Sequence, residues 1–345
     1  STHDNKRSED VRARIDVISE VPAAWRLLVR RWSRLNRQRK RTIDGEVAPS
    51  RNDEYLLYQT LLGSFPCRDL DDNCLAEYRT RIEHYMLKAA REAKCRTSWH
   101  NMHEKYETAL VEFVRALLTR SVGNLFLDDL AQQVRYFAWH GGLNSLAMTL
   151  LKLTSPGVPD IFQGNETLDY SLVDPDNRRP IDYDCRQERL AALRSLARTS
   201  TERLPALVTS LASNHLDGRA KTWIVLRVLD LRRRDPDLFA YGDYVPVKVT
   251  GKREKQVVAY VRRYRNRGLV VASGRLYASL GLEADTPPLG TNVWDDTQMD
   301  LGMLPVDIEL TDVLGSMEAA SIEGGRLDLA RAFQYFPGAV LYFEH

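Results

Sequence analysis

Residues 151–183 read LKLTSPGVPDIFQGNETLDYSLVDPDNRRPIDY, and the reading of this stretch decides the fold. It opens as a short apolar run, breaks at Ser155-Pro156-Gly157 and resumes as an extended piece, Val158-Pro159-Asp160-Ile161-Phe162, ending at Gln163-Gly164. Glu166, Asp169, Asp174, Asp176, Asn177, Arg178 and Arg179 then crowd a segment of turn formers. A buried strand that discharges into a polar loop is how barrel enzymes set chemistry at the C-terminal rim of their strands. An ordinary strand and turn carrying solvated charges has the same spacing, so spacing alone leaves both readings open.

Outside this stretch, a length of 345 residues gives room for two or three domains and a sizeable core. With 49 basic against 47 acidic side chains the charge nearly balances, so no field draws nucleic acid or an anionic membrane. No apolar run approaches the ~20 residues that span a bilayer, and no signal-peptide pattern opens the chain. Cys67, Cys74, Cys95 and Cys185 lack CxxC spacing and a zinc-type His pattern. Four thiols in a chain this long fit a reducing compartment, and the cytoplasm is the expected location.

Taken in order, residues 20–135 read as mostly helix. Trp25, Leu28, Val29, Trp32 and Leu35 form one stripe at helical spacing. Tyr78, Ile82, Tyr85, Met86, Ala89 and Ala93 form a second, and Tyr106, Leu110, Phe113, Val114, Leu117 and Leu118 a third. The basic run Arg37–Arg41 leads into TIDGEVAPS and reads as a solvated linker. In RNDEYLLYQTLLGSFP (51–66), Asn52 or Asp53 is placed to cap a helix that turns Leu56, Leu57, Leu61 and Leu62 inward. Gly141-Gly142 reads as a break before a helix from Leu143 to Leu151. Residues 186–240 return to helix, with Trp223, Val225, Leu226, Val228 and Leu229 inward and Asp235-Pro236 at its end. From Tyr241, YVPVKV, VVAYVRRY and LVVASG alternate or run apolar between turns, as strands of a small antiparallel β-domain do.

Three stretches carry a resemblance. SPGVPDIFQGNE resembles the eighth-strand signature of the α-amylase family, a Gly-x-Pro-x-Ile-aromatic run leading into Gly-x-Glu. The longer string from Lys152 to Tyr183 resembles, more narrowly, the maltooligosyl trehalose synthase family. STHDNKRSEDVRARI (1–15) and RNDEYLLYQTLLGSFP (51–66) resemble the same family in the same order, and the likeness runs on more loosely toward the C-terminus. Three ordered matches weigh more than one short motif.

The resemblance implies an α/β fold: the end of an α-amylase-type (β/α)8 barrel with a large helical insertion, then a small C-terminal antiparallel β-domain. The implied division is 1–16 for the end of barrel strand seven and its loop, and 17–135 for the insertion. Barrel strand eight with its closing helices then takes 136–240, and the β-domain takes 241–345. The implied activity is an intramolecular glucosyl transfer that converts the reducing-end α-1,4 linkage of a maltooligosaccharide into an α,α-1,1 linkage, by a retaining route. Such a route needs a nucleophile and an acid/base carboxylate, which the family carries on earlier strands. The chain opens inside a motif without Met, so it is expected to be the C-terminal part of a longer polypeptide, partnered by the remaining N-terminal part. Asp4 corresponds to the family's transition-state-stabilising Asp, with Asn5 where Thr is usual; read alone, Asp4 is better taken as a helix-capping Asp on a frayed terminus. His3, Lys6, Arg7, Arg51, Asn52, Asp53, Glu166, Asp174 and Arg178 are the expected substrate-binding residues. Asp176 and Asn177 fit a saccharide contact or an Asx-rich turn. No cofactor and no metal are expected. A glucanotransferase of the α-amylase family, and a non-catalytic glucan-binding or helical module, are the two alternatives.

Overall fold

The computed structural model describes residues 2–198, 203–305, 308–317, 322 and 324–345. Two compact units emerge. One is helical and takes Thr2–Gly141 together with Tyr170–Arg179; the other takes Gly142–Asp169 and Pro180–His345.

The helical unit contains α1 (Glu9–Asp16), α2 (Pro22–Asn36), α3 (Arg51–Ser64), α4 (Asp72–Ala93), α5 (Glu104–Leu117) and the first part of α6 (Leu125–Thr154). Its core grows from the helical stripes. Trp32 is fully buried and meets Trp25, Tyr58 and Phe126 edge-on at centroid distances of 5.9, 5.4 and 5.3 Å. Its indole N–H reaches Asp129 at 2.7 Å, so the one polar atom of the ring is satisfied inside the core. The second stripe holds at Tyr78, Ile82, Tyr85 and Met86, but Ala90 is the buried alanine and Ala93 is exposed. A 3.6-residue period explains the shift, because position 90 continues the 82–86 face.

The expected linker after Arg37–Arg41 is instead a hairpin, β1 (Arg41–Ile43) with β2 (Glu46–Ala48). Asp44 and Gly45 take φ of 50° and 83°, the two positive values that a tight two-residue hairpin turn requires. The basic run is paired as well: Lys40 with Glu54 and Arg41 with Glu112.

Gly141-Gly142 is not a break. Both lie inside the continuous helix α6. They are glycines because of close approach: a Cβ on Gly141 would meet Arg14 Cα at 2.6 Å, and one on Gly142 the His215 ring at 2.5 Å. The expected strand 158–162 is also absent. Residues 158–162 are irregular, Val158 is fully exposed, and no strand among the described residues runs beside them to take up their backbone groups.

In the second unit α7 (Tyr183–Ala197), α8 (Leu204–Ser213), α9 (Arg219–Arg234) and α10 (Pro236–Tyr241) precede the strands. These are β3 (Asp243–Pro246), β4 (Val249–Thr250), β5 (Val257–Tyr264), β6 (Arg267–Gly274), β7 (Gln298–Asp300), β8 (Thr311–Asp312), β9 (Arg326–Asp328) and β10 (Gly338–Glu344). A five-stranded sheet has the order β3-β5-β6-β10-β8, and a three-stranded one the order β4-β7-β9. Every strand pair among the described residues is antiparallel. The chain is therefore a mixed α/β protein with antiparallel sheets. Trp223 and Val228 of α9, Leu150 of α6 and Leu269, Val271 and Val340 of the sheet share one core, whereas Leu229 is 40% exposed and faces out.

Arg262 on β5 closes this core. It is 1% exposed, and its guanidinium donates to the carbonyls of Thr154, Leu238, Phe239, Gly242 and Asp243 at 2.9–3.3 Å. These include the Thr154 carbonyl that ends α6 and the Phe239 carbonyl in the last turn of α10, which the helices themselves leave free, whereas the Leu238 carbonyl also takes the Gly242 N–H. Arg262→Met keeps the stem but orphans them. The expected cost is about 3 kcal/mol, read as a lower urea midpoint in equilibrium unfolding.

Candidate functional site

Six of the ten expected site residues lie in two short segments of the helical unit, 2–7 and 170–179. The first segment is a turn. Asn5 N–H donates to the Thr2 carbonyl at 3.2 Å, and the Asn5 side chain accepts from the Thr2 amide and hydroxyl at 3.0 and 2.9 Å. His3 and Asp4 sit at the tip. Asn5 thus clamps the turn that presents them, which gives the departure from Thr a structural use. The Asp4 carboxylate is 78% exposed, and His3 Nε2 lies 3.3 Å from it. Asp4 caps no helix: α1 starts at Glu9, with Ser8 at the capping position.

The second segment is pinned to the first and to α4. Arg7 and Leu172 form an antiparallel bridge, Ser8 N–H donates to the Ser171 carbonyl at 3.0 Å, and the Asn177 amide donates to the His3 carbonyl at 2.9 Å. Arg81 of α4 grips Asp176 with two 2.8 Å bonds and the Tyr170 carbonyl at 3.1 Å. Asp176 Oδ2, which takes one of the Arg81 bonds, also accepts from Leu172 N–H at 2.7 Å. Asp176 is therefore a loop anchor, and Asn177 a tie to the turn. Lys88, two turns along α4, donates to the Asp174 carbonyl at 2.8 Å, and Arg178 pairs with the Asp174 carboxylate at 2.8 Å. Lys6 pairs with Glu92 at the end of the same helix. Below the loop, Arg14 of α1 is buried, stacks 4.1 Å from the Tyr170 ring and donates to the Phe65 carbonyl at 2.7 Å.

Burial alone would raise the Asp176 carboxyl pKa; the Arg81 fork, the Leu172 N–H and Arg179 outweigh it and leave it below the ordinary aspartyl value. Burial pushes the Tyr170 hydroxyl up, with Arg14 opposing. Nearby Asp174, Asp176 and Glu92 are each held by an arginine or lysine. Asp4 stands apart: an exposed carboxylate whose ionic contact is the neighbouring imidazole. Such a group, next to His3, can take hydrogen bonds from a polyhydroxylated ligand or face developing positive charge.

One of the six, Arg7, turns inward, and the remaining four lie elsewhere. Arg7 directs its guanidinium inward to Thr60 Oγ1 at 3.0 Å, within α3, and its Nε is buried with no partner among the described residues. Arg51 and Asn52 are exposed at the start of α3; at ~1.5 Å per residue that end lies about 13 Å along the helix from Thr60. The cap of α3 is Ser50, which accepts from Asp53 N–H, rather than Asn52 or Asp53. The Asp53 carboxylate is engaged by the hydroxyls of Ser50 and Tyr106. Serine is the better cap because its short hydroxyl reaches the third helical amide while position 53 supplies the acidic first turn. Glu166 belongs to the other unit, where it pairs with Arg186 at 2.6 Å.

Arg81, Lys88 and Glu92 were not singled out in the sequence. Their signal is spacing: seven and four residues apart, they share one face of α4 beside the apolar stripe.

No family profile matches the sequence. A curated Mycobacterium tuberculosis protein, provisionally named maltooligosyl trehalose synthase, is 33% identical over 299 residues, covering 86% of this chain and 33% of its own length. Among solved structures, the maltooligosyltrehalose synthase from Arthrobacter ramosus superposes with a TM-score of 0.75 at 32% identity, over 99% of this chain and 38% of that one. A Sulfolobus tokodaii protein described as a hypothetical maltooligosyl trehalose synthase gives 0.65 at 28% identity, again over 99% of this chain and 38% of that one. The chain is thus similar, along nearly all of its length, to proteins named maltooligosyl trehalose synthase. It spans about a third of the length of the curated relatives it matches.

Proposed function

We propose that this chain is the C-terminal part of an intramolecular glucosyl transferase that turns the reducing-end α-1,4 linkage of a maltooligosaccharide into an α,α-1,1 linkage. The observation that carries the reading is similarity to synthases of this name along 99% of the chain. In this reading residues 1–16 end a barrel strand, 17–135 are a helical insertion, 136–240 return to the barrel and 241–345 form a supporting β-domain. The substrate passes over the His3–Asp4 tip. As the glycosidic bond breaks, positive charge grows at the anomeric centre and ring oxygen, and the sugar ring flattens. Asp4 holds hydroxyls of that distorted ring, and its contacts strengthen as the distortion grows. His3 donates to a further hydroxyl. Asn5 and Asn177 fix the turn, so Asp4 arrives already oriented. Lys6, Asp174, Arg178, Arg51, Asn52 and Asp53 are the further substrate contacts proposed in the helical unit and Glu166 the one proposed in the other unit, and Arg7 holds the turn against α3. The nucleophile and the acid/base come from the remaining N-terminal polypeptide, the partner of this chain. The cytoplasm is the proposed compartment; the four cysteines are unpaired, and no helix among the described residues is long and apolar enough to cross a membrane.

Incubating this chain alone with maltopentaose is expected to leave the reducing-end count unchanged, while adding the N-terminal polypeptide in the same chain restores its loss. Turnover by this chain alone, at catalytic concentration, refutes the division of labour. No loss of reducing ends with the longer polypeptide refutes the activity.

A further inference from the structure

We propose that Trp99 is a stacking platform for a glucosyl unit of an α-1,4-glucan chain, at a subsite away from the reacting linkage. The substrate class rests on the proposed function; the site rests on the geometry of the loop 97–103.

Trp99 is 51% exposed, so a large aromatic surface stands open to solvent. It is also not loosely hung. The Arg91 guanidinium lies over one face of the ring, 4.7 Å from its centroid. Arg91 is itself locked by two bonds to Glu107, at 2.9 and 2.7 Å. Glu107 accepts in addition from Thr97 Oγ1 at 2.6 Å, and that hydroxyl takes the His103 N–H at 3.0 Å. Within the loop, Ser98 N–H donates to the Asn101 carbonyl at 3.0 Å, and Asn101 N–H to Ser98 Oγ at 2.9 Å. The turn is therefore wired from base to tip, and it fixes one indole face against a cation while the ring stays half open to solvent.

A rigid aromatic face suits a pyranose, whose axial C–H groups form an apolar side while its hydroxyls point outward. Ring stacking covers the indole without desolvating the hydroxyls. The exposed His100 and Asn101 beside it offer donors and acceptors to those hydroxyls. Arg91 behind the ring polarises it without competing for the open face. The position is apt too. Glu92, next to Arg91 on α4, holds Lys6, which lies two residues from Asp4. The platform therefore sits at the same end of α4 as the candidate catalytic turn, where a chain of linked glucosyl units can reach from one to the other.

The test measures maltoheptaose binding to this chain by calorimetry, with Trp99→Ala and Trp99→Tyr, each checked for an unchanged melting temperature and for mass by light scattering. Trp99→Ala is expected to weaken binding about tenfold, as truncation of a contributing interface aromatic does, and Trp99→Tyr to stay within about threefold of wild type because a ring remains. Three outcomes of the binding measurement overturn the platform. They are no binding by the wild-type chain, equal binding by wild type and Trp99→Ala, or a Trp99→Tyr as weak as Trp99→Ala. A change of oligomeric mass with unchanged sugar binding also overturns it and assigns the indole to a second copy of the chain. Binding needs no turnover, so the platform and the proposed activity fail separately: Trp99-dependent binding by an inactive enzyme retains the first and sinks the second.

Discussion

Asp4→Asn, placed in the polypeptide that carries the whole proposed barrel, is expected to lower kcat by roughly a hundredfold to a thousandfold, with KM little changed and the melting temperature unaltered. The substitution keeps shape and removes charge. If Asp4 acts on the distorted ring, its contribution appears only as the transition state forms, so the loss falls on kcat rather than on substrate binding. Stability should not follow, because Asp4 has a 78% exposed carboxylate, caps no helix and, among the described residues, pairs with His3 alone. The Asn5 clamp, which shapes the turn, is left intact. Steady-state kinetics on maltopentaose with a parallel thermal melt make the measurement. A variant that retains more than about half of its kcat removes Asp4 from the machinery.

The second large effect is expected at Arg81. Its two bonds to Asp176 join a helix to a loop across 95 residues of sequence, and the pair is mostly shielded, with side-chain exposures of 23% and 12%. Arg81→Met leaves a carboxylate without its main counter-ion in a largely dry site, at a cost of about 3 kcal/mol. Asp176→Asn gives the pH signature. The folded-state pKa of Asp176 is below the ordinary value, near 3.9 for an unperturbed aspartate. Its stabilisation is therefore fully present above that unfolded value and is lost as pH falls through the folded one. Wild type should exceed Asp176→Asn in urea midpoint at pH 7, and the gap should close below about pH 4. A gap that is constant with pH would mean that the charge on Asp176 contributes nothing.

How much of this was legible in the sequence depended on range. Local period was readable: the stripes of α2, α4 and α5 were recovered because burial follows the 3.6-residue repeat, and β5 and β6 because apolar runs end at short turns. Signals with two physical causes were misread. Gly141-Gly142 resembles a breaker, yet these glycines answer to Arg14 and His215, which approach from far away in sequence. Val158–Phe162 has the composition of a strand, but a strand exists only with a neighbour, and composition does not report neighbours. The candidate turn at His3-Asp4 was found by likeness alone; its clamp by Asn5 and Asn177 depends on a contact across 174 residues. Asp176 was ambiguous for the same reason. Nothing near it in the chain announces Arg81.

The helical unit is discontinuous, and that has a consequence for synthesis. Its last ten residues, Tyr170–Arg179, follow a 28-residue excursion, Gly142–Asp169, into the other unit. At about 5–20 residues per second, a ribosome delivers α1 to α5 several seconds before that closing segment. Through this interval the nascent helices carry Arg14, Arg81 and Lys88 without the tyrosine, aspartate and carbonyl that later hold them. The unit is completed only when residue 179 has left the exit tunnel, so a stalled or prematurely released chain ending before that point exposes a cationic seam, and a gene fragment stopping at Gly141 encodes a body that cannot finish itself.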